Sequence, residues 1–148
     1  MRPNVCRMTT STSAPRHHLV SVRLITEDVA RLADFYANVS GCPVRWSTPD
    51  FAELETPAGT LAIGSTRTVA LFGPGSARAA DNHTAILEFL VDDVDAEYAR
   101  VQQFVTEFVN EPSTMPWGNR SLLFRDPDDN LVNLFTPVTP EARAKFGR

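Results

Sequence analysis

The chain repeats itself. Leu24-Ile25-Thr26-Glu27-Asp28-Val29 has a counterpart in Phe89-Leu90-Val91-Asp92-Asp93-Val94, and self-similarity of this kind limits a fold more than any local propensity. Val20, Val22 and Leu24 alternate with Ser21, Arg23 and Ile25, as in a half-buried strand, and Ala85–Val91 reads as the equivalent strand of the second half. Asp28 and Asp93 then each offer a carboxylate oxygen to the unpaired N–H groups of a helix start. The first helix carries Val29, Leu32, Phe35, Tyr36 and Val39 on one face and stops at Gly41; the second carries Val94, Tyr98, Val101 and Phe104. A strand, a Pro turn and a strand follow in both halves. They span Phe51–Leu61 across Pro57, and Ser121–Leu131 across Pro127.

The order strand–helix–strand–strand–strand, met twice, predicts one α+β domain. Residues 1–17 form an expected flexible tail, 18–138 the domain, with modules at about 19–73 and 84–137, and 139–148 a short C-terminal helix. That helix begins at Thr139-Pro140-Glu141, a cap with proline at the first helical position. Gly73–His83, rich in glycine, alanine and polar residues, reads as the surface loop between the halves. The fourth strand of the first half has two candidate places, 61–64 or the apolar alternation at 68–72.

Composition narrows the partners. The formal net charge is −4, and Arg2, Arg7 and Arg16 lie outside the patterned region, so the folded body is more acidic still. A nucleic-acid groove needs clustered Lys and Arg to displace counterions, and no such stripe appears. Two cysteines, Cys6 and Cys42, without C-x-x-C spacing, argue against a disulfide framework or a thiolate zinc site. The N-x-[ST] patterns at Asn38, Asn82 and Asn119 would matter only in a secreted protein. No apolar run reaches the length of a membrane span, and residues 1–16 lack a signal-peptide core. The expected compartment is the cytoplasm, with neither nucleic acid nor membrane as a partner.

With the repeat and its turns in hand, the chain resembles the vicinal oxygen chelate superfamily, the glyoxalase, bleomycin-resistance and extradiol-dioxygenase group. The resemblance spans roughly Leu19–Pro137. It rests on the strand into Asp28 followed by Phe35-Tyr36, on Val91-Asp92-Asp93-Val94, on Pro116-Trp117-Gly118-Asn119-Arg120, and on Asp126-Pro127-Asp128-Asp129-Asn130-Leu131-Val132-Asn133-Leu134-Phe135. It implies two βαβββ modules whose curved mixed sheet surrounds a concave cleft, within a homodimer. In enzymatic members a divalent metal sits in that cleft, held by His, Glu or Gln from the first and last strands of the modules.

Carried onto this chain, the ligand positions fall at Ser21 and Ile86, at Asn133, and at Ile63 as the first-half partner of Asn133. One hydroxyl, one amide and two hydrocarbons make a poor set for a metal that takes N and O donors. No cofactor is therefore expected. A displaced set drawn from His18, His83 or Glu88 would restore a metal-dependent lyase, isomerase or dioxygenase; His17, His18 and His83 otherwise read as exposed strand-entry residues. The resemblance also puts Asp129 where the family has glycine, a left-handed turn position that Asp tolerates.

If Ser21 and Ile86 face the cleft, period two places Arg23 and Glu88 there too, either as ligand anchors or, the favoured reading, as a buried ion pair. Trp46, Phe51, Phe72 and Trp117 are candidates for an apolar wall, with Asn119 and Arg120 at its lip. Trp117, beside Gly118, is expected on a flexible mount. Asp126, Asp128 and Asn130 mimic the start of a calcium loop, but Leu131 and Pro137 occupy the places that need Gly and Glu, which leaves a hairpin turn. G-x-S-x-G, Walker-type and H-E-x-x-H motifs are missing. The expected function is metal-independent binding of a small apolar or aromatic molecule. A dimeric structural or regulatory domain is the third alternative.

Overall fold

A computed structural model describes residues 13–148, so Cys6, Arg2, Arg7 and most of the expected tail lie outside the described residues. The first module comprises β1 (Ser21–Thr26), α1 (Val29–Ser40), β2 (Val44–Thr48), β3 (Phe51–Glu55) and β4 (Thr60–Ser65), followed by a single helical turn, α2 (Thr66–Val69). The second comprises β5 (Ile86–Leu90), α3 (Val94–Val101), β6 (Ser113–Thr114), β7 (Asn119–Arg125) and β8 (Leu131–Pro137), followed by α4 (Pro140–Lys145). The fold is α+β, two βαβββ modules, each a mixed four-stranded sheet. The strand orders are β1-β4-β3-β2 and β5-β8-β7-β6. In each, the first strand runs parallel to the last and the remaining pairs are antiparallel.

The caps are where the sequence puts them. The Asp28 carboxylate accepts from Arg31 N, the Asp93 carboxylate from Asp95 N and Ala96 N, and the Thr139 hydroxyl from Ala142 N. Gly41 ends α1 with φ +71°. Helix α3 is shorter than expected: it ends at Val101, and Phe104 packs against the core from the turn beyond.

The fourth strand of the first module lies at 60–65, and 68–72 is no strand. β4 lies between β1 and β3, so residues 60–65 already fill the fourth-strand place. The chain instead coils, with the Thr68 hydroxyl donating to Ser65 O and the Phe72 and Gly73 N–H groups to Val69 O.

One buried cluster joins both modules. Val29, Leu32, Ala33, Tyr36 and Val39 of α1 meet Leu24, Ala52, Leu54, Leu61 and Ile63 of the first sheet, and the cluster continues through Leu87, Val94, Val101, Leu122, Phe124, Val132 and Leu134. Helix α1 also spans the seam. Phe35 packs edge-on to Phe124, and Tyr36 stacks on Phe89. The Tyr36 hydroxyl donates to Asp126 Oδ2 at 2.6 Å. Burial and the adjacent carboxylate hold this phenol far above its ordinary pKa, so it stays a donor.

Candidate functional site

Because strand side chains alternate between faces, each sheet has a second face turned away from α1 and α3. In the first sheet this open face carries Ser21, Arg23 and Ile25 of β1, Thr60, Ala62 and Gly64 of β4, and Phe51 and Glu53 of β3. In the second it carries Ile86, Glu88 and Leu90 of β5, Leu131, Asn133 and Phe135 of β8, and Asn119, Ser121 and Leu123 of β7. A groove of about 340 Å³ runs between the two first strands. It is lined by Leu19, Ser21 and Val22 on one side and by Ile86 and Glu88 on the other. This volume suits a small organic molecule.

The pairing corrects one position. Glu88 pairs with Asn133, and its repeat equivalent Arg23 pairs with Ala62. The first-half partner of Asn133 is therefore Ala62. Ile63, expected there, points into the core and is fully buried. The cause is turn length. Glu55 pairs with Thr60 across four residues, whereas Arg125 pairs with Leu131 across five, and one extra residue moves every later side chain to the opposite face. Comparison of Thr-Pro-Ala-Gly with Asp-Pro-Asp-Asp-Asn was the available signal.

The donor set of the four positions is thus a Ser21 hydroxyl, the Ala62 methyl, the Ile86 side chain and the Asn133 amide, and it does not fit a divalent metal. Nor is a displaced set assembled: among the described residues no three His, Cys, Asp or Glu side chains come together in a way that could hold an ion. Asn133 is 9% exposed and its Oδ1 has no hydrogen-bond partner; Asn119 Oδ1 is likewise buried and unpaired. Buried acceptors without donors are costly, and both asparagines stand on the face turned from the helices. One end is already covered, for Phe135 packs on Phe146 just beyond α4.

Arg23 and Glu88 form no ion pair with each other. The Arg23 guanidinium carbon lies 4.8 Å from the Phe51 ring centroid and 5.4 Å from that of Phe72. It leans across β4, where Ala62 and Gly64 leave room; a Cβ built on Gly64 would sit 3.7 Å from Arg23 Cδ. Sequence reasoning named Arg23, Phe51 and Phe72 separately but missed the glycine and alanine floor that brings them together.

The other candidates are placed differently. Trp46 pairs with Ala52, so it lies on the helix side of the sheet and cannot wall the open face. Arg120 pairs with Thr136 and bonds Asp95 at 2.7 Å, again on the helix side, and holds that carboxyl below its usual range. Trp117 is 68% exposed. Its mount is hydrogen-bonded on both sides: Gly118 N–H donates to Met115 O, and Gly118 O accepts from Val138 N and Thr139 N. The Asp126–Asn130 segment is a hairpin turn with Asp129 at φ +66°. No helix among the described residues is long and apolar enough to cross a membrane.

Residues 17–134 match the family model described as the Glyoxalase/Bleomycin resistance protein/Dioxygenase superfamily. The chain is 25% identical over 123 residues to the uncharacterized protein YraH of Bacillus subtilis, covering 79% of this chain and 96% of that one. Among solved structures it resembles a glyoxalase/bleomycin resistance protein/dioxygenase from Nocardioides. That match has a TM-score of 0.71 and 21% identity, covering 87% of this chain and 89% of the other. A family enzyme from Burkholderia phytofirmans gives a TM-score of 0.70 at 20% identity, covering 80% and 97%. At these identities the structural likeness concerns the fold.

Proposed function

We propose that this chain, which belongs to the Glyoxalase/Bleomycin resistance protein/Dioxygenase superfamily, binds a small apolar or aromatic molecule without a metal. One observation carries the reading: the positions facing the groove and the open faces supply Ser21, Ala62, Ile86 and Asn133, with too few donors for a Lewis-acid ion. What the faces do offer is apolar surface with sparse polar groups. Phe51, Phe72 and Ile86 give hydrocarbon, while Arg23, Glu88 and Asn133 give direction. The mechanism is stoichiometric binding through burial and orientation, with no chemical step.

Metal content tests this directly. Protein purified without chelator is expected to hold less than about 0.1 equivalents of any divalent metal, as a site lacking ligands binds none tightly. Stoichiometric metal that a chelator removes would overturn the proposal.

Trp117 adds an exposed ring near the Asn119 end of the second open face. Trp117→Ala is expected to shift unfolding free energy by no more than about 0.5 kcal/mol, as for exposed positions generally, while weakening retention of aromatic compounds. Urea denaturation and titration of the same variant check both halves. A loss of several kcal/mol with unchanged binding would make the ring a structural element instead.

A homodimer fits the same picture. Leu19, Val20, Val22 and Ile86 are 90%, 66%, 43% and 45% exposed around one groove, and apolar side chains concentrated in this way favour a second copy as cover. The cytoplasm suits Cys42, which forms no disulfide among the described residues.

A further inference from the structure

Four arginines stand on strands: Arg23, Arg45, Arg120 and Arg125. Three of them face carboxylates. Arg45 is held by Glu53 and Glu55, Arg120 by Asp95, and Arg125 lies 3.7 Å from Asp129. Arg23 is the exception, for among the described residues its N–H groups meet no acceptor, and its guanidinium lies over two phenylalanine rings.

That arrangement has chemical direction. A ring face attracts the face of a guanidinium but accepts none of its hydrogen bonds, so all five in-plane N–H donors remain available at the edges. The rings also hold the long side chain in one place, which lowers the entropy lost when a ligand arrives. Ala62 and Gly64 beneath it are buried, and the open hydrocarbon beside it is the Phe72 ring, 76% exposed. Glu53 and Glu55 share this face, and Arg45 binds both, one cation between two carboxylates. An unpaired guanidinium beside two aromatic rings, with its planar fork of donors free, matches a carboxylate.

We propose that Arg23 is the carboxylate anchor of a site for aromatic monocarboxylic acids, with Phe51 and Phe72 receiving the ring. This rests on the small-molecule reading above and names its ligand class.

The test uses the full chain and three matched probe pairs, each an acid and its neutral amide: 1-naphthoate with 1-naphthamide, salicylate with salicylamide, and indole-3-acetate with indole-3-acetamide. Binding is measured by titration calorimetry at fixed ionic strength. At least one acid is expected to bind about tenfold or more tightly than its amide, the margin of one charge-assisted hydrogen-bonded pair. Arg23→Gln should erase that preference by weakening the acid far more than the amide, and Arg23→Lys should keep part of it, because charge remains while the fork is lost. Circular dichroism and thermal melting of each variant show that the fold is intact. Equal affinity for acid and amide, or a preference that survives in Arg23→Gln, overturns the anchor and leaves the binding reading standing. Failure of all six compounds to bind overturns both.

Discussion

Asp126→Ala is expected to lower the free energy of unfolding by about 3–5 kcal/mol, the range for stripping a buried charged acceptor from its partners. Asp126 is 5% exposed. Its carboxylate accepts from the Tyr36 hydroxyl at 2.6 Å, from Asn130 Nδ2 at 2.8 Å, and from the backbone N–H groups of Asp128 and Asn130 at 2.9 Å each. Alanine leaves all four donors without their acceptor, three of them buried. The network extends further, since Asn82 Nδ2 donates to Asn130 Oδ1 at 3.2 Å. One carboxylate thus ties a helix of the first module, a turn of the second and the linker between them. Urea midpoints at neutral pH measure the effect, and a loss below about 1 kcal/mol, the worth of one neutral hydrogen bond, would show that the network relaxes around the gap.

Tyr36→Phe, which keeps the ring and removes one donor, should cost about 1.5–3 kcal/mol. Its pH behaviour separates it from other lesions. Burial first, and the Asp126 carboxylate second, raise the Tyr36 pKa in the folded state. A raised phenol favours the protonated form on folding, so its contribution is fully present below the unfolded value near pH 10. Above that pH the wild-type protein should lose about 1.4 kcal/mol per pH unit relative to Tyr36→Phe. Parallel stability curves for the two proteins up to pH 11 would refute the buried phenol–carboxylate contact.

The modules were legible because their signals are local and were repeated. Asp28 and Asp93 before apolar helical stripes, Gly41 after one of them, and a proline turn in each hairpin all act within a few residues of their own position. The site was legible less evenly. Period two correctly put Arg23 and Glu88 on the faces turned from the helices, but pairing them with each other required a distance that alternation does not contain. Arg23 turned toward Phe51 because Ala62 and Gly64 leave space above β4, and that space depends on register. Register in turn hung on a single extra residue in the second hairpin, which moved the counterpart of Asn133 from Ile63 to Ala62. Trp46 was misplaced for a related reason: its side follows from its pairing with Ala52, and no sequence period crosses from one strand to the next. The Tyr36–Asp126 contact joins positions 90 residues apart, beyond anything a pattern along the chain can reveal.

Gly118→Ala should be among the most damaging small substitutions in the protein, at about 3 kcal/mol. Gly118 has φ +92°, and a Cβ there would lie 2.2 Å from Thr139 Oγ1 and 3.0 Å from Thr139 Cγ2. Left-handed backbone alone costs an L-residue about 1 kcal/mol, and overpacking against a fixed neighbour adds about 1–3 kcal/mol. Thr139 cannot simply swing aside. Its hydroxyl caps α4 by accepting from Ala142 N at 3.2 Å, and its backbone N–H donates to Gly118 O. A shifted Thr139 would loosen α4 and with it the Phe146 ring that covers Phe135, so the second sheet's open face would be disturbed together with the loop carrying Trp117. The two causes can be parted by a double-mutant cycle. Thr139→Gly alone should cost about 1 kcal/mol or less, as glycine substitutes tolerably at an N-cap. In that background Gly118→Ala should cost only the backbone share, about 1 kcal/mol. Strict additivity of the two substitutions in urea unfolding would mean that the collision with Thr139 is absent, and that the backbone angle alone makes glycine necessary there.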